Sequence, residues 1–459
     1  MLASCLALLA LPVSPAPPPL THDRTGIDPA AEDHVLFLRA DRLVVRPGVE
    51  LEGAAVLIQD GVILDVGSDL QAPEGARVLE GAVVCAGFLD PWSVLGLDEG
   101  SAGDPSTSAS TRSADGLDFY SAPLEREAAL RAGVTAVRAQ VGVHARFGGI
   151  GAVVRTAGRA GGSGAVVLED SCVNAAVAVT RDGRTMDVFE RAGEVDRVIS
   201  TLESGRSYLE SQIEYEHELE EWRKAIAEKE KELEKDFKKA KKDRDKEIEK
   251  AEEKGKEHKE KRYKEEKKPK APRYNPDDEV MARVANGELP LVVEVHRAVE
   301  LKKLLEGTEK FDRLRLVLAG GTEAMAVADV LAERQIPVIV RPVPMGAERD
   351  SEYQAADLGL AGELDGAGVP VLLGSGPGQR GATRDLPLMA ALAVGHGLDT
   401  QAAFHALTLG AARALDVSDR LGSIELGKDA DLLVLDGDPL SSTTRVQYVI
   451  SGGEVVVEP

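Results

Sequence analysis

Residues that could do chemistry are few and scattered in this chain. Its 8 histidines and 3 cysteines form no cluster with the spacing of a zinc site. The glycine-rich turns 148–151 and 161–164 are not followed by the Lys-Ser/Thr of a phosphate loop and lack dinucleotide-binding spacing. Ser375 lies in the Gly-Ser-Gly turn 374–378, but the full pattern of a serine nucleophile is missing and no His/Asp partners can be assigned. Local motifs alone therefore assign no reaction.

Three histidines outside such motifs have two interpretations each. His144 either faces a site from the end of a strand or lies at the surface before the turn 148–151, and the surface interpretation is favoured. His396 and His405 lie on predicted helices, where a packing or helix-end role is favoured over chemistry.

The elements that would position a site alternate along the middle of the chain. Predicted strands lie at 134–137, 290–295, 314–318, 336–340 and 369–373. Predicted helices lie at 124–132, 299–305, 324–334, 354–367, 386–396 and 400–415. Continuous Val/Ile/Leu runs between helices indicate a parallel sheet buried on both faces. If that sheet closes into a barrel, the C-terminal ends of its strands build the site.

Both chain ends are rich in short alternating strands. Residues 35–84 contain several such runs, and Asp60-Gly61 between two of them predicts a hairpin turn. Residues 430–457 show the same pattern of short strands and turns. Isolated hairpins are marginal in water, so we expect the two sets to pair into one small β-domain. Two unrelated β-caps are the alternative.

Length and charge limit the protein class. The 459 residues suit a large α/β domain with a satellite, and 43% hydrophobic content is ordinary for a globular protein. The formal net charge is −23, and because the stretch 209–270 is neutral, the rest of the chain carries it. An acidic body argues against a nucleic-acid partner, since phosphate binding needs clustered Lys and Arg.

The first 20 residues resemble an export signal. Residues 6–13 form a short apolar core before the small-residue site 14–16, and the run is too short to span a bilayer. A lipoprotein box at 2–5, ending in Cys5, is an alternative. We therefore expect an exported protein of the periplasm, cell envelope or extracellular medium. Cys85 and Cys172 would then be the remaining thiols, and whether they pair is left open.

The stretch 209–270 is dominated by Glu, Lys, Asp and Arg. A thin apolar stripe with spacings of three, four and seven runs through it, as in a helical seam. The stripe consists of Ile213, Leu219, Trp222, Ile226, Leu233, Phe237, Ala240, Ile248 and Ala251. One long charged helix or an open helical hairpin is predicted. For the Lys-rich distal part, a solvated charge run is the alternative.

Several long motifs resemble the amidohydrolase superfamily. The segment 57–67 resembles "I-x-D-G-x-I-x-x-V-G", 73–76 resembles "P-x-G-A", and 86–97 resembles the segment that opens the family's barrel. Residues 403–414 and 421–432 resemble the family's closing motif, which ends in "G-S-I-E-x-G-K-D-A-D-L". The likeness covers about residues 35–200 and 275–459 and falls nearest the imidazolonepropionase-like branch, among cell-envelope members with a charged helical insertion.

The resemblance implies an α/β fold: a (β/α)8 TIM barrel of the metal-dependent hydrolase type, with a composite β-sandwich and a long charged helical or coiled-coil insertion. It divides the chain into a leader at 1–20, sandwich parts at 34–86 and 414–459, and a barrel at 87–413 that contains the insertion 205–272. The family reaction is hydrolysis of non-peptide C–N bonds in small amides by water bound to a divalent metal such as zinc.

Most positions where the resemblance implies a metal ligand carry something else. Trp92 and Val94 occupy the two histidine positions of the first strand, Gly320 that of the sixth, and Gly376 the aspartate position of the eighth. None of these side chains can coordinate a cation. His296, or Glu294 two residues earlier, is the remnant on the fifth strand. We therefore expect no metal and no other cofactor, because a catalytic site needs about three ligands.

Three functions follow from this pattern. The leading hypothesis is a catalytically degenerate member that binds a small molecule in the barrel mouth, lined by Trp92, Val94 and Ser375, or acts as a scaffold. The second is an active hydrolase with a rebuilt site that uses His296, Glu294, His144 or Asp98/Glu99. The third is an interaction protein in which 209–270 binds a protein partner or a second copy.

Overall fold

The computed structural model describes residues 35–143, 145–158, 165–177, 180–181, 184–251, 267–342, 357–377 and 380–459. The predicted leader, His144, the turn 161–164 and residues 252–266 of the charged stretch lie outside these residues. No described helix is both long enough and apolar enough to cross a membrane.

Strands from both chain ends form one seven-stranded sheet. Its strands are β1 (Val35–Arg46), β2 (Val49–Gln59), β3 (Val62–Gly67), β4 (Arg77–Ala86), β17 (Leu432–Leu435), β18 (Val446–Ser451) and β19 (Glu454–Val457). The order is β19-β18-β17-β4-β1-β2-β3, with β1 and β4 parallel and β17 antiparallel to β4. Strands from the two chain ends therefore pair with each other, as expected. The described residues form one sheet here, so the predicted sandwich is not confirmed.

The hairpin between β2 and β3 forms at the predicted turn. Asp60 and Gly61 have φ angles of 51° and 82°, and Gln59 pairs with Val62 across them. Two successive positive φ angles are typical of the tight turn that matches strand twist, which is why Asp-Gly is favoured there.

A closed barrel follows the first part of this sheet. Its strands and the short strands beside them are β5 (Phe88–Ser93), β6 (Val134–Ala139), β7 (Phe147–Ile150), β8 (Ala152–Arg155), β9 (Val166–Leu168), β10 (Val173–Ala176), β11 (Thr180–Arg181), β12 (Arg184–Thr185), β13 (Leu291–Val295), β14 (Leu316–Gly320), β15 (Val338–Val340) and β16 (Val371–Leu373). Two hydrogen-bonded sets, β5-β6-β8-β9 and β16-β15-β14-β13-β10-β7, make its wall.

Seven of the barrel strands are parallel and the third is reversed. β7 runs antiparallel to β10, and the next strand, β8, runs antiparallel to β6. β10 and β13 to β16 are parallel to their neighbours. The ring closes where the Gly376 amide donates to the Trp92 carbonyl at 2.8 Å. The barrel therefore departs from the all-parallel (β/α)8 arrangement at the third strand. There the chain reverses direction without a helical crossover.

Helices surround the barrel. They are α1 (Glu99–Ala102), α2 (Pro123–Arg131), α3 (Val188–Ala251), α4 (Pro276–Ala285), α5 (Ala298–Thr308), α6 (Ala328–Glu333), α7 (Leu360–Gly366), α8 (Leu386–Gly395), α9 (Thr400–Leu407) and α10 (Leu409–Ala414). Short 3-10 helices lie at Ser113–Gly116, Ala324–Val327 and Arg380–Asp385. The predicted helices 324–334 and 400–415 are each divided in two. The described part of 354–367 becomes helical only at Leu360.

The charged helix begins as a wall helix of the barrel. The Glu190 amide donates to the Asp187 carboxylate and the Asp187 amide donates to Glu190, each at 2.9 Å, which is a reciprocal N-terminal cap. Val198 and Leu202 are then fully buried, and Arg191 forms a buried bidentate pair with Glu300 at 2.6 and 2.9 Å. The helix starts earlier than the pattern of charges suggested, because its first turns pack on the barrel.

Candidate functional site

The mouth of the barrel lies at the C-terminal ends of its parallel strands, and Trp92 fills its centre. Trp92 is the last residue but one of β5 and is only 4% exposed, packed among apolar residues of the neighbouring strands such as Val292 and Ile339. Val94 is equally buried but belongs to the surrounding core. The two predicted histidine positions of the first strand are therefore apolar packing positions in this fold.

Asp90 lies directly below Trp92 in a fully buried polar cluster. Its Oδ1 accepts the amides of Trp92 at 3.2 Å and Ser375 at 3.1 Å. The Ser93 and Thr383 hydroxyls lie 2.8 Å apart beside it, and Ser375 Oγ lies 3.3 Å from Thr383. Burial raises the pKa of Asp90, and the hydrogen bonds from Ser375 oppose that shift. Ser375 thus joins β16 to β5 rather than forming a nucleophile with a base.

The remnant pair of the fifth strand does come together. His296 Nε2 lies 3.6 Å from Glu294 Oε1, and His296 Nδ1 lies 2.7 Å from the hydroxyl of Thr322. The Glu294 and His296 side chains retain 10% and 15% exposure, so both sit at the edge of the mouth. This pair was expected from the sequence, whereas Thr322, which follows the sixth strand, was not.

Neighbouring side chains cover the two glycines of the mouth. A Cβ atom on Gly320 would collide with the imidazole ring of His296. A Cβ atom on Gly376 would lie 3.1 Å from Cδ and 3.4 Å from Nε of Arg341, which follows β15. Both glycines also have positive φ angles, 84° and 81°, which β-carbon-bearing residues rarely adopt. The places of the expected sixth- and eighth-strand ligands are thus taken by an imidazole and a guanidinium.

These residues do not fit the divalent metal that the fold implies. Among the described residues no group of three or more His, Cys, Asp or Glu side chains is placed to hold a metal ion. Of the two candidates present, His296 already directs Nδ1 at Thr322, and Glu294 offers one carboxylate. A catalytic metal needs about three protein ligands and an open position, which this set does not supply.

The described space inside the mouth is very small. A cavity of about 10 Å³ lies among Trp92, Gln140, Asn174, Val292 and Glu294, which is room for about one water molecule. The small-molecule substrate sites of enzymes are generally far larger. Trp92 is one of the residues that line this small cavity.

A buried arginine beside this cavity was missed by the sequence analysis. Arg138 on β6 is 0% exposed, and its guanidinium donates to neutral acceptors: the Pro91 carbonyl at 2.7 Å, Gln140 Oε1 at 2.6 Å and Asn174 Oδ1. Cys172 Sγ lies 3.4 Å from the same group. A lone charged residue within the apolar run of β6 was the signal that could have identified it.

The remaining candidates serve the fold. Asp98 accepts the Ser101 amide at 3.0 Å and its hydroxyl at 2.6 Å, which caps the short helix that contains Glu99. Burial and the nearby Arg413 lower the pKa of His405, which lies on a packed helix. His396 ends α8.

The two cysteines of the described region are both free and buried, so Cys85 and Cys172 do not form a disulfide. Burial raises the pKa of the Cys85 thiol. Neither group is therefore poised as an exposed thiolate.

The closing motif acts at the other end of the barrel. Arg155 of β8 donates through Nε to both carboxylate oxygens of Asp431 at 3.0 Å and through NH2 to Asp429 at 2.5 Å. Arg420 adds a second contact to Asp429 at 2.6 Å. Because Asp429 and Asp431 precede β17, this network ties the barrel to the seven-stranded sheet.

Comparison with known proteins agrees with this architecture. A sequence profile of the amidohydrolase family matches residues 298–457. Imidazolonepropionase from Porphyromonas gingivalis is 36% identical over 110 residues, which cover 22% of this chain and 26% of that protein. The matched region therefore spans about a quarter of the curated relatives.

Solved structures share the fold over nearly the whole chain. An amidohydrolase from Thermotoga maritima matches with a TM-score of 0.68 and 24% identity over 92% of this chain and 100% of that one. Molinate hydrolase matches with a TM-score of 0.52 and 17% identity over 92% of this chain and 94% of that one. This likeness shows a TIM-barrel hydrolase fold. The family match over residues 298–457 and the motif frame support the amidohydrolase superfamily.

Proposed function

We propose that this chain does not carry out the metal-dependent reaction of its superfamily and works instead as a scaffold or binding protein built on the barrel. The observation that carries the proposal is the occupation of the mouth: His296 covers Gly320 and Arg341 covers Gly376. Restoring a ligand at either position would require a neighbouring side chain to move. The loss is therefore built into the packing as well as the residue types.

Of the two roles, the geometry favours the scaffold. A small molecule in the mouth would need neighbouring side chains such as Trp92 to move, because the described cavity of about 10 Å³ holds about one water. Trp92 is packed against several strands, so its displacement would expose apolar surface. If the mouth binds a ligand, we propose that the ligand carries a small apolar group that can replace the indole.

The ancestral reaction would be hydrolysis of non-peptide C–N bonds in small amides, in the imidazolonepropionase-like branch. The 36% identity over 110 residues to imidazolonepropionase supports the branch. The motif frames around Trp92, Gly320 and Gly376 support descent from a metal-dependent member.

A hydrolysis panel tests the proposal. The chain from Asp23 would be assayed on small cyclic amides and dipeptides beside His296→Ala and the matched control His217→Ala, a histidine exposed on α3. We expect the same background rate from all three proteins. Turnover that disappears in His296→Ala and persists in His217→Ala would overturn the proposal.

A second candidate is an active hydrolase that uses the remnant pair. The 3.6 Å approach of Glu294 to His296 and the 2.7 Å contact of His296 with Thr322 favour it, because a carboxylate beside an imidazole can support general base chemistry. Glu294→Gln should then reduce turnover as strongly as His296→Ala.

Location and domain division are also proposals. The leader 1–20 would direct export, and the division at 34–86, 87–413, 205–272 and 414–459 would make the barrel the central unit. Expression with the leader, followed by fractionation, tests export: the processed chain is expected outside the cytoplasm. Retention there without processing would contradict it.

A further inference from the structure

Residues 267–275, called the linker here, lead into α4 and have neither helical nor strand structure. Within the described chain, no backbone–backbone hydrogen bond involves residues 267–274. Pro269 and Pro272 are half-buried, whereas the other seven residues of the linker are exposed. The linker therefore presents a solvated backbone to any protein that binds chain segments.

The sequence itself keeps the linker out of a helix. A proline fixes its own φ at about −65° and disfavours the helical region for the residue before it. Prolines stand at 269, 272 and 276, so they also restrict residues 268, 271 and 275. Asn275 shows the result, with φ −134° and ψ 114°. An extended, solvated backbone is typical of such proline-rich segments.

Both sides of the linker are anchored to the barrel. On its C-terminal side, Asn275 caps α4 by accepting the Asp277 amide at 3.1 Å, and Asp277 Oδ1 accepts the Ser110 amide at 2.9 Å. On its N-terminal side, the first turns of α3 are held by the buried Val198 and Leu202. A break in the linker would therefore leave these contacts in place.

Two basic side chains of the linker precede bonds that a protease can cut. Lys270 is followed by Ala271, and Arg273 by Tyr274. Lys270 and Arg273 are exposed, and neither has a hydrogen bond or ion pair among the described residues. Proteases of trypsin-like specificity bind such a cation in an acidic pocket beside the reacting serine. They also need the surrounding chain to be extended and accessible, as it is here.

We propose that the linker is a processing site for a serine protease of trypsin-like specificity, which cuts the Lys270–Ala271 or the Arg273–Tyr274 bond. One water molecule is consumed. The peptide C–N bond breaks, the water oxygen forms the new carboxylate of Lys270 or Arg273, and a proton passes to the new amino group of Ala271 or Tyr274.

The product of this cut is one folded unit made of two chains. Strands from the two sides of the linker pair with each other, β4 with β17 and β10 with β13. The ring of the barrel also closes across the cut, because the Gly376 amide donates to the Trp92 carbonyl. The inference concerns the linker alone, so it stands or falls independently of the chemistry of the mouth.

Limited digestion of the full chain with trypsin tests the proposal, with each cut located by mass spectrometry. Lys302 and Arg131 are the matched sites, 71% and 60% exposed on α5 and α2. We expect cleavage after Lys270 or Arg273 to be at least about tenfold faster than at the matched sites, because a helix must open locally before a protease can bind it. Equal rates in the linker and in the helices would overturn the proposal.

Two pairs of variants separate the linker from net charge. Lys270→Gln with Arg273→Gln should lose both cuts. Lys302→Gln with Arg131→Gln changes the charge by the same amount and should be cut in the linker like wild type. Loss of the linker cuts in both double variants would contradict the assignment.

A third variant tests the bonds themselves. Ala271→Pro with Tyr274→Pro keeps both cations but places a proline after each one, where its ring and missing N–H obstruct the protease. This variant should resist cleavage, and persistent linker cuts would overturn the choice of bonds. Light scattering of cleaved wild type under native conditions should give the mass of the uncut chain. Separation of the two fragments would overturn the two-chain product.

Discussion

The two ends of the barrel differ in how their polar side chains are paired. At the end facing the seven-stranded sheet, Arg155 binds Asp429 and Asp431 in a nearly buried network, and all three groups are present and paired. At the mouth, the backbone frame persists while the ligand positions hold Trp92, Gly320 and Gly376. Under the proposed function, the structural part of the family pattern persists without its chemical part, because only the structural part is needed for folding.

The largest predicted effect concerns the network at the sheet end. Arg155→Met should lower the free energy of unfolding by about 3–5 kcal/mol, because the buried Asp431 would lose the cation that compensates it, whereas Asp429 would keep Arg420. Urea denaturation measures it. The exposed Arg131, paired with Glu127 on α2, is the matched control, and Arg131→Met should cost under about 1 kcal/mol. Similar losses in both variants would mean that the buried network contributes no more than an exposed ion pair.

The second prediction concerns the covered glycine of the mouth. Gly320 and Gly427 have nearly the same φ angles, 84° and 83°, but only Gly320 has a neighbour in the way of a Cβ atom. Gly320→Ala should therefore cost about 1–3 kcal/mol more than Gly427→Ala, which carries the backbone strain alone. Adding His296→Ala should recover most of that excess in a double-mutant cycle. Equal costs for the two glycines would mean that His296 does not occupy the ligand position.

The smallest predicted effect is a pH dependence beneath the mouth. Burial raises the folded-state pKa of Asp90, so its contribution to stability is present at low pH and is lost as pH rises through that pKa. Asp90→Asn keeps an acceptor for the Trp92 and Ser375 amides but cannot ionise. Its stability relative to wild type should therefore improve as the pH rises above the ordinary pKa of an aspartate. An unchanged difference in urea denaturation would contradict the raised pKa.

The sequence predicted β6 and β13 to β16 because each contains a continuous apolar run between helices, whereas β7, β8 and β10 were not predicted. Val134–Ala139 and Leu291–Val295 lie where the pattern indicated them, and the Asp60-Gly61 turn forms as expected. The start of α3 was placed too late, since charge composition hid a helix whose first turns are part of the wall. The pair Asp187 and Glu190, three residues apart, was the readable signal.

The site was only partly accessible from sequence. The ligand positions follow from motif frames, so Trp92, Gly320 and Gly376 could be named in advance. What fills the space could not, because Arg341 and Thr322 come from other strand ends and only the closed barrel brings them beside Gly376 and His296. The reversed third strand was likewise hidden, since an alternating or apolar run does not encode strand direction.

Metal content tests the central claim most directly. The chain from Asp23, without a histidine tag, would be loaded with zinc, manganese or iron, dialysed and measured by plasma mass spectrometry beside His296→Ala. The account predicts that both proteins retain the same trace amounts, because the described side chains supply no set of three ligands. One metal ion retained per wild-type chain and lost in His296→Ala would contradict it and make the rebuilt hydrolase the leading function.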